Sequence, residues 1–368
     1  SRGPRDAPRA ARTVRYNSIM HEEVYAMSIK KISLKNFTVF DRLNMSFSGG
    51  INIFIGPNGA GKTHLLKIIY SACRAADSRV SFSYKLVRCF APDDYRISRL
   101  VRRKQGNNDA SIRIVSENEK TNKTIMASFN NKTSKWEAMV VGEDGWEKQR
   151  GDLTSIFIPA KEILSHSYNL NAAVEMNNVS FDDTYLDVIN AAKIAISPGK
   201  NAAVKQTLLN QIEKIIEGKV FFDEKRDEFY LKRGNTKVEF NLVAEGIRKI
   251  ALLWQLVKNG ILVDGSVLFW DEPEANINPI HIPILAEMLL NLQQNGVQIF
   301  ISTHDYFLSK YFEVKRVESD EILFHSFFYE DDGVSVESAP YFKQLEHNSI
   351  LDTFINLYQE EMDRVMES

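Results

Sequence analysis

Residues 56 to 63 read GPNGAGKT, three glycines in six positions followed directly by a lysine and a threonine. Those residue types at that spacing suit the holding of a phosphate chain. Glycines at 56, 59 and 61 permit a tight, partly left-handed loop whose backbone N–H groups can reach phosphate oxygens. A helix opening after Gly61 would add its unpaired N-terminal donors and the positive end of its dipole. Lys62 would then bridge β- and γ-phosphates, and the Thr63 hydroxyl would bind Mg2+. Far downstream, SVLFWDEPEANINP carries Asp271 and Glu272 out of four apolar residues, the pattern of a strand buried on both faces. Its C-terminal edge is where ligands of open α/β sheets bind. There one carboxylate can hold the hydration shell of Mg2+, and the next can orient and deprotonate water. A third segment, VQIFISTHD, delivers Ser302, Thr303 and His304 to the same edge, with His304 placed to sense a γ-phosphate.

The elements that must position these groups can be read in outline. Strands are expected over IKKISLKNFTVF, LNMSFS and INIFI, with Gly49 and Gly50 as a turn, although Ile29, Ile32 and Leu34 alternate imperfectly. A helix follows the glycines, with Leu65, Leu66, Ile68, Ile69 and Cys73 on one broad face. Residues 77 to 155 read as β-rich, and SIFIPAKEIL at 155 to 164 as a buried strand ending at Pro159. Helical patterns then run to about residue 217, with Gly218 as the stop. A β-meander, a long helix from Ala244 to Asn259, the two chemistry-bearing strands with helices after them, two more strands and a closing amphipathic helix complete the chain. The acidic YEDDG between those last two strands reads as a hairpin turn.

Composition sets limits. With 368 residues, 44% of them apolar, the chain can bury a large core, and its net charge of −2 gives no global pull toward nucleic acid. No apolar run reaches the roughly 18 residues that span a bilayer. Two cysteines, Cys73 and Cys89, without a CxxC argue against a disulfide framework or a zinc site and suit a reducing, cytoplasmic setting. The arginine- and alanine-rich residues 1–26 read as a disordered or non-native leader, before the strand pattern that starts at Met27.

The chain resembles the ABC-type ATPase heads, including SMC-like and OLD-like proteins. GPNGAGKT matches their Walker A, VLFWDE their Walker B with its catalytic glutamate, EANIN their D-loop and THD their switch histidine; LKNFTVF is similar to the N-terminal strand of the SMC and OLD-like branch. The phrase AEGIRKIALLWQL with LFWDEPEANINP looks especially like the small AAA-15/AAA-21 family ATPases of bacterial anti-phage defence loci. The resemblance covers about 27–76 and 240–312. It implies an α/β P-loop NTPase, an ABC-type head over 27–368 with an internal β-plus-helical insertion at about 77–240. It implies ATP and Mg2+, with ATP held by Gly56, Pro57, Asn58, Gly59, Ala60, Gly61, Lys62, Thr63 and His64, metal by Thr63 and Asp271, and catalysis by Glu272, His304 and Lys62. Two copies would close head to tail around ATP, each receiving Gly246 and its helix N-terminus from the other.

The departures from the family pattern are local. The signature LSGGQ is replaced by VAEGI, so Ala244 stands for the serine that contacts the partner's γ-phosphate and Glu245 for a glycine. Arg248 and Lys249 either supply positive charge instead or are solvated helix residues. Lys161 and Glu162 occupy the place of the Q-loop glutamine, or form a surface ion pair. Thr38 stands where many SMC-like chains have arginine. The expected function is phosphoryl transfer from ATP to water, sensing phage infection and controlling an effector protein such as a nuclease, with DNA as a further partner and no membrane. The rivals are a transporter nucleotide-binding subunit, which normally keeps LSGGQ, and a DNA-associated SMC or OLD-like ATPase.

Overall fold

The computed structural model describes residues 28–117, 121–150, 154–176, 179–194, 202–331 and 333–367; the expected leader, 1–26, lies outside the described residues. An antiparallel hairpin, β1 (Ser28–Phe37) and β2 (Phe40–Ser46), precedes the short strand β3 (Ile51–Ile55), which runs into the glycine loop and helix α1 (Lys62–Arg74). Helix α2 (Phe82–Phe90), strands β4 (Asp109–Glu117), β5 (Asn122–Asn130) and β6 (Met139–Val141), and helix α3 (Glu143–Arg150) come next. Strand β7 (Ser155–Ile158) leads to helices α4 (Leu170–Glu175), α5 (Asp183–Lys193) and α6 (Ala202–Ile216), then to the meander β8 (Lys219–Asp223), β9 (Glu228–Arg233) and β10 (Thr236–Glu239). Helix α7 (Glu245–Lys258), strand β11 (Val267–Asp271), helix α8 (Ile282–Gln294), strand β12 (Gln298–Ser302) and helix α9 (Tyr306–Lys315) follow. The hairpin β13 (Ile322–Glu330) and β14 (Gly333–Ala339) and helix α10 (Ser349–Met366) close the order.

The central sheet has the order β14-β13-β3-β12-β11-β7. Its strands are parallel except β14, which pairs antiparallel at the edge. Two cores flank it. Ile51, Ile53 and Ile55 of β3, Ile156 and Ile158 of β7, Leu268 and Trp270 of β11, and Ile299 and Ile301 of β12 face helices α6 to α9. The residues between them, Phe54, Phe157, Phe269 and Phe300, face α1, α2 and the five-stranded antiparallel sheet β2-β1-β4-β5-β6. The period of two is therefore present, but it separates a mainly aliphatic face, with Trp270, from a row of phenylalanines rather than apolar from polar, as burial on both faces requires. The phenylalanines form a row across the strands: Phe157, Phe269 and Phe300 are near-parallel, with centroids 6.4 and 5.2 Å apart, and Phe54 continues it at 6.2 Å from Phe300.

Buried amides join the two sheets. Gln298 Nε2 donates to the carbonyls of Ile29 (2.9 Å) and Ser48 (2.8 Å), while its Oε1 accepts the Ile29 N–H at 2.8 Å. The imperfect alternation of β1 has a cause: its register against β4 shifts between Ile29 and Lys31, and this bulge returns Ile29 and Ile32 to one buried face.

The structure adds detail to three sequence expectations. Residues 77–155 are not only β-rich, since they include α2 and α3, the latter anchored by fully buried Trp146, whose indole N–H donates to the Ala72 carbonyl at 2.8 Å. Within 77–240, β4 pairs with β1 and carries β5 and β6, and β7 completes the central sheet beside β11, so this stretch is joined to the rest by strand pairing. Helix α6 stops at Ile216, just before Gly218 as expected, and the left-handed residue at its end is Glu217, at φ 53°. Gly218 is small because β9 passes over it, and a Cβ there would sit 2.5 Å from the Lys232 carbonyl oxygen.

His325 on β13 is fully buried, its Nδ1 2.7 Å from Ser338 Oγ and its Nε2 3.3 Å from Asn52 Oδ1, and burial pushes its pKa down to about 3. In the unfolded chain the ring titrates near ~6.5. Unfolded protein therefore binds a proton that folded protein refuses, so this contribution is complete above that value and is lost as pH falls toward 3. Replacing His325 with Asn, which cannot protonate, should reduce the fall in melting temperature between pH 7 and pH 5. Circular dichroism melts of both proteins at the two pH values check this, and identical falls would reject it.

Candidate phosphate-binding and hydrolytic site

The glycine loop joins the C-terminal end of β3 to α1. Gly56 and Gly61 have φ of 129° and 94°, which side chains resist, and added Cβ atoms would lie 2.2 Å from the Phe327 carbonyl oxygen and 2.5 Å from the Phe40 ring. Gly61 caps α1 without any side-chain hydrogen bond, so the first-turn N–H groups keep their capacity for an anion. Lys62 is folded back over the loop, Nζ donating to the carbonyls of Gly56 at 2.7 Å and Pro57 at 2.9 Å. Burial lowers its pKa to about 8, against the opposing pull of Asp271, Glu272 and Glu274. A phosphate arriving here would meet an ammonium whose hydrogen bonds, among the described residues, go to neutral carbonyls.

Below the loop, Thr63 Oγ1 donates to the Asp271 carboxylate, 2.9 Å from Oδ2 and 3.1 Å from Oδ1, and Ser302 Oγ donates to the same Oδ1. Hydroxyl and carboxylate oxygens from three elements thus converge on one point, a hard oxygen donor set that suits Mg2+ rather than a softer metal. Parallel pairing explains the convergence, because Asp271 lies opposite Ser302 and Ser302 opposite Phe54, two residues before Gly56.

Glu272 leaves the strand in a left-handed conformation, φ 46°, and its backbone is held from both sides. Its N–H donates to the Ser302 carbonyl at 3.0 Å, and Lys249 Nζ lies 3.3 Å from its carbonyl oxygen. The side chain remains 41% exposed, open to water, with Oε1 3.9 Å from His304 Nε2. Burial, then the nearby Lys62 charge, lower the His304 pKa, which favours the neutral imidazole. Glu272, His304, Lys62, Thr63 and Asp271, separated by up to 242 positions in the chain, are therefore brought to one sheet edge.

Other expected residues sit differently. The His64 ring turns away toward Thr38, with Nδ1 3.0 Å from Oγ1, and packs on Phe90; burial lowers its pKa to about 4, and only its main chain remains available to a phosphate. Arg248 is not solvated: Nε lies 2.7 Å from Oε2 of Glu162, whose side chain is 1% exposed, and Nη1 donates to the carbonyls of Phe240 and Val243. The surface pair expected of Lys161 and Glu162 is thus a buried pair of Glu162 with Arg248, while Lys161 is exposed. Lys249 is buried, donating to the Ala275 carbonyl at 2.9 Å. Neither cation is free for a phosphate. Gly246 is buried against the turn after β11, where a Cβ would lie 2.4 Å from the Asn276 carbonyl oxygen. Sequence reasoning gave no role to Glu274, whose carboxylate accepts from Thr303 Oγ1 at 2.8 Å; its signals were its place at the start of EANIN and its being a third acid two residues beyond Glu272.

Residues 51–310 match the family model described as "AAA domain, putative AbiEii toxin, Type IV TA system". The chain belongs to this AAA-domain family. Among curated relatives, it is 57% identical over 47 residues to the DNA replication and repair protein RecF of Cytophaga hutchinsonii, covering 13% of this chain and 12% of that protein. It is 34% identical over 104 residues to RecF of Clostridium botulinum (strain Eklund 17B / Type B), 28% of each. The chain therefore matches well under a third of the length of these relatives. Among solved structures, the SmcHead bound to the C-winged helix domain of ScpA superposes with a TM-score of 0.54 at 14% identity, covering 85% of this chain and 97% of that one. An Smc head domain with an extended coiled coil, bound to the C-terminal domain of ScpA derived from Pyrococcus furiosus, gives 0.50 at 11% identity, with 91% and 100% covered. The fold of this AAA-domain protein is thus that of the SMC-head P-loop ATPases, as the sequence led us to expect.

Gly246→Ala should destabilise the protein by about 1–3 kcal/mol, the scale of overpacking in a filled interior. Urea unfolding at pH 7 measures it; an unchanged midpoint would mean that α7 does not press on the turn after β11.

Proposed function

We propose that the chain is a Mg2+-dependent ATPase whose two copies close head to tail around ATP. The observation that carries this reading is the meeting of Thr63, Asp271 and Ser302 beneath the glycine loop, with exposed Glu272 beside neutral His304. Thr63 and Asp271 would hold Mg2+, which when bound neutralises charge on the β- and γ-phosphates. The loop N–H groups and Lys62 bind the phosphate chain. Glu272 orients water and accepts its proton, at an oxygen that has solvent access. His304, as a neutral ring, offers a hydrogen bond to the γ-phosphate without adding charge. Because Arg248 and Lys249 are committed inside their own chain, the second copy would contribute the uncapped N-terminus of α7 rather than a side-chain cation.

Lys62→Ala should abolish nucleotide binding or turnover. Glu272→Gln should keep nucleotide, slow hydrolysis by roughly 10²-fold or more, and accumulate an ATP-loaded dimer. Phosphate release assays and light scattering after size exclusion read these outcomes; normal turnover by Lys62→Ala would reject the site, and a monomeric ATP-loaded Glu272→Gln protein would reject the head-to-tail dimer.

The biological reading is that the protein senses phage infection and holds or releases a toxic effector, such as a nuclease. Its support is the family's own description, which names a toxin and a toxin–antitoxin system, together with the resemblance of the DEPEANINP region to defence-locus ATPases. ATP-dependent closure would change effector affinity through a coupling of ~1–3 kcal/mol. RecF relatives, named for DNA replication and repair, keep a DNA-associated ATPase as the second reading. Cells carrying the native operon should restrict at least one phage in a broad panel and lose that protection with Lys62→Ala. Equal plating on both would remove the defence reading and leave the ATPase reading standing.

A further inference from the structure

Three acids, Asp271, Glu272 and Glu274, fall within four residues at the end of β11, and the mechanism above uses only the first two. Glu274 turns its carboxyl group inward. Oε1 accepts two hydrogen bonds from the loop after β12, from Thr303 Oγ1 at 2.8 Å and from the His304 backbone N–H at 3.1 Å. Oε2 is buried and has no hydrogen-bond partner among the described residues. One carboxylate oxygen thus joins the turn that carries Glu272 to the loop that carries His304. We infer that Glu274 is a positioning residue, which locks these two segments together so that the water-activating carboxylate and the phosphate-facing histidine keep their spacing. The inference rests on the ATP-hydrolysis reading and assigns to Glu274 no contact with substrate.

Electrostatics agree with a role of this kind. A third full negative charge at this edge would oppose the phosphate chain that Asp271 and Glu272 already repel. Burial raises the Glu274 pKa to about 7, against the hydrogen bonds from Thr303 and His304, so near neutral pH the group carries much less than a full charge. What the two segments need from it is an acceptor oxygen, and an amide supplies one equally well.

The test compares Glu274→Gln, which keeps an acceptor and the shape, with Glu274→Leu, which keeps only the bulk. Steady-state ATP hydrolysis would be measured for kcat and KM, and amide hydrogen exchange by mass spectrometry over residues 303–308. For Glu274→Leu we expect kcat to fall about 10- to 100-fold, the usual cost of a misplaced catalytic group, with KM within about twofold and faster exchange at His304. Glu274→Gln should restore both readings to within a few-fold of wild type. Should Glu274→Leu fail to fold, Thr303→Val removes one of the two bonds from the other side and should shift kcat and exchange in the same direction. A wild-type kcat in the Leu variant, or in Thr303→Val if that must replace it, would overturn the inference, as would a Gln variant as impaired as the Leu variant. A wild-type protein that hydrolyses no ATP would instead overturn the ATPase reading on which the inference stands.

Discussion

Strands β3, β12, β11 and β7 are buried on both faces, so a polar side chain within them is costly unless it is bonded. Asn52 shows the rule, its amide bonded to the Ser48 backbone and to His325. Under that constraint the first places where charge is tolerated are the strand ends. Because the strands are parallel, their C-terminal ends share one edge, and Asp271, Ser302 and the glycine loop arrive there together. The chemistry of the site follows from the covering of the sheet, to which the phenylalanine row on one face and the mainly aliphatic set on the other both contribute.

The interior around the site is held by cations that touch no phosphate. Arg248 and Lys249 are adjacent on α7 yet reach in different directions, Arg248 to the Glu162 carboxylate and the backbone before α7, Lys249 to the backbone of the turn after β11. A buried carbonyl missing its donor costs about 1–3 kcal/mol, and a buried cation missing its partner about 3–5 kcal/mol. Through Lys249, such commitments tie α7 to the Glu272 turn. Gly246 adds to this, since its lack of a side chain lets α7 sit directly on the Asn276 backbone.

How much of this could be read from the sequence depended on whether the signal was local. The glycine loop, the acids after four apolar residues and the histidine after the next apolar strand are short patterns whose neighbours in sequence are also their context, and the strands and helices around them were legible for the same reason. Residues 77–155 were harder. Helix α2, nine residues long, has too few turns for its period to stand out, and α3 is polar except for Trp146, whose burial depends on α1. The membership of β7 in the central sheet was hidden, because its partner β11 lies more than 100 positions away. The same limit concealed Glu162 with Arg248 and Glu274 with Thr303: an ion pair or hydrogen bond between distant segments leaves no periodicity in either one.

The strand order also governs how the chain comes into being. β3, which bears the glycine loop, sits between β12 and β13, and its first neighbour lies about 250 residues later in the chain. At a ribosome adding ~5–20 residues per second, that strand waits on the order of 10–50 s for any partner. During the wait Ile51, Ile53, Phe54 and Ile55 are an unpaired apolar template, of the kind prone to pair with the wrong chain. The antiparallel hairpin β1–β2 can form at once, but the nucleotide site cannot exist until nearly the whole chain has emerged. Synthesis and competence for ATP are thereby linked: a truncated or stalled product of this gene would retain the glycine loop and lack the site.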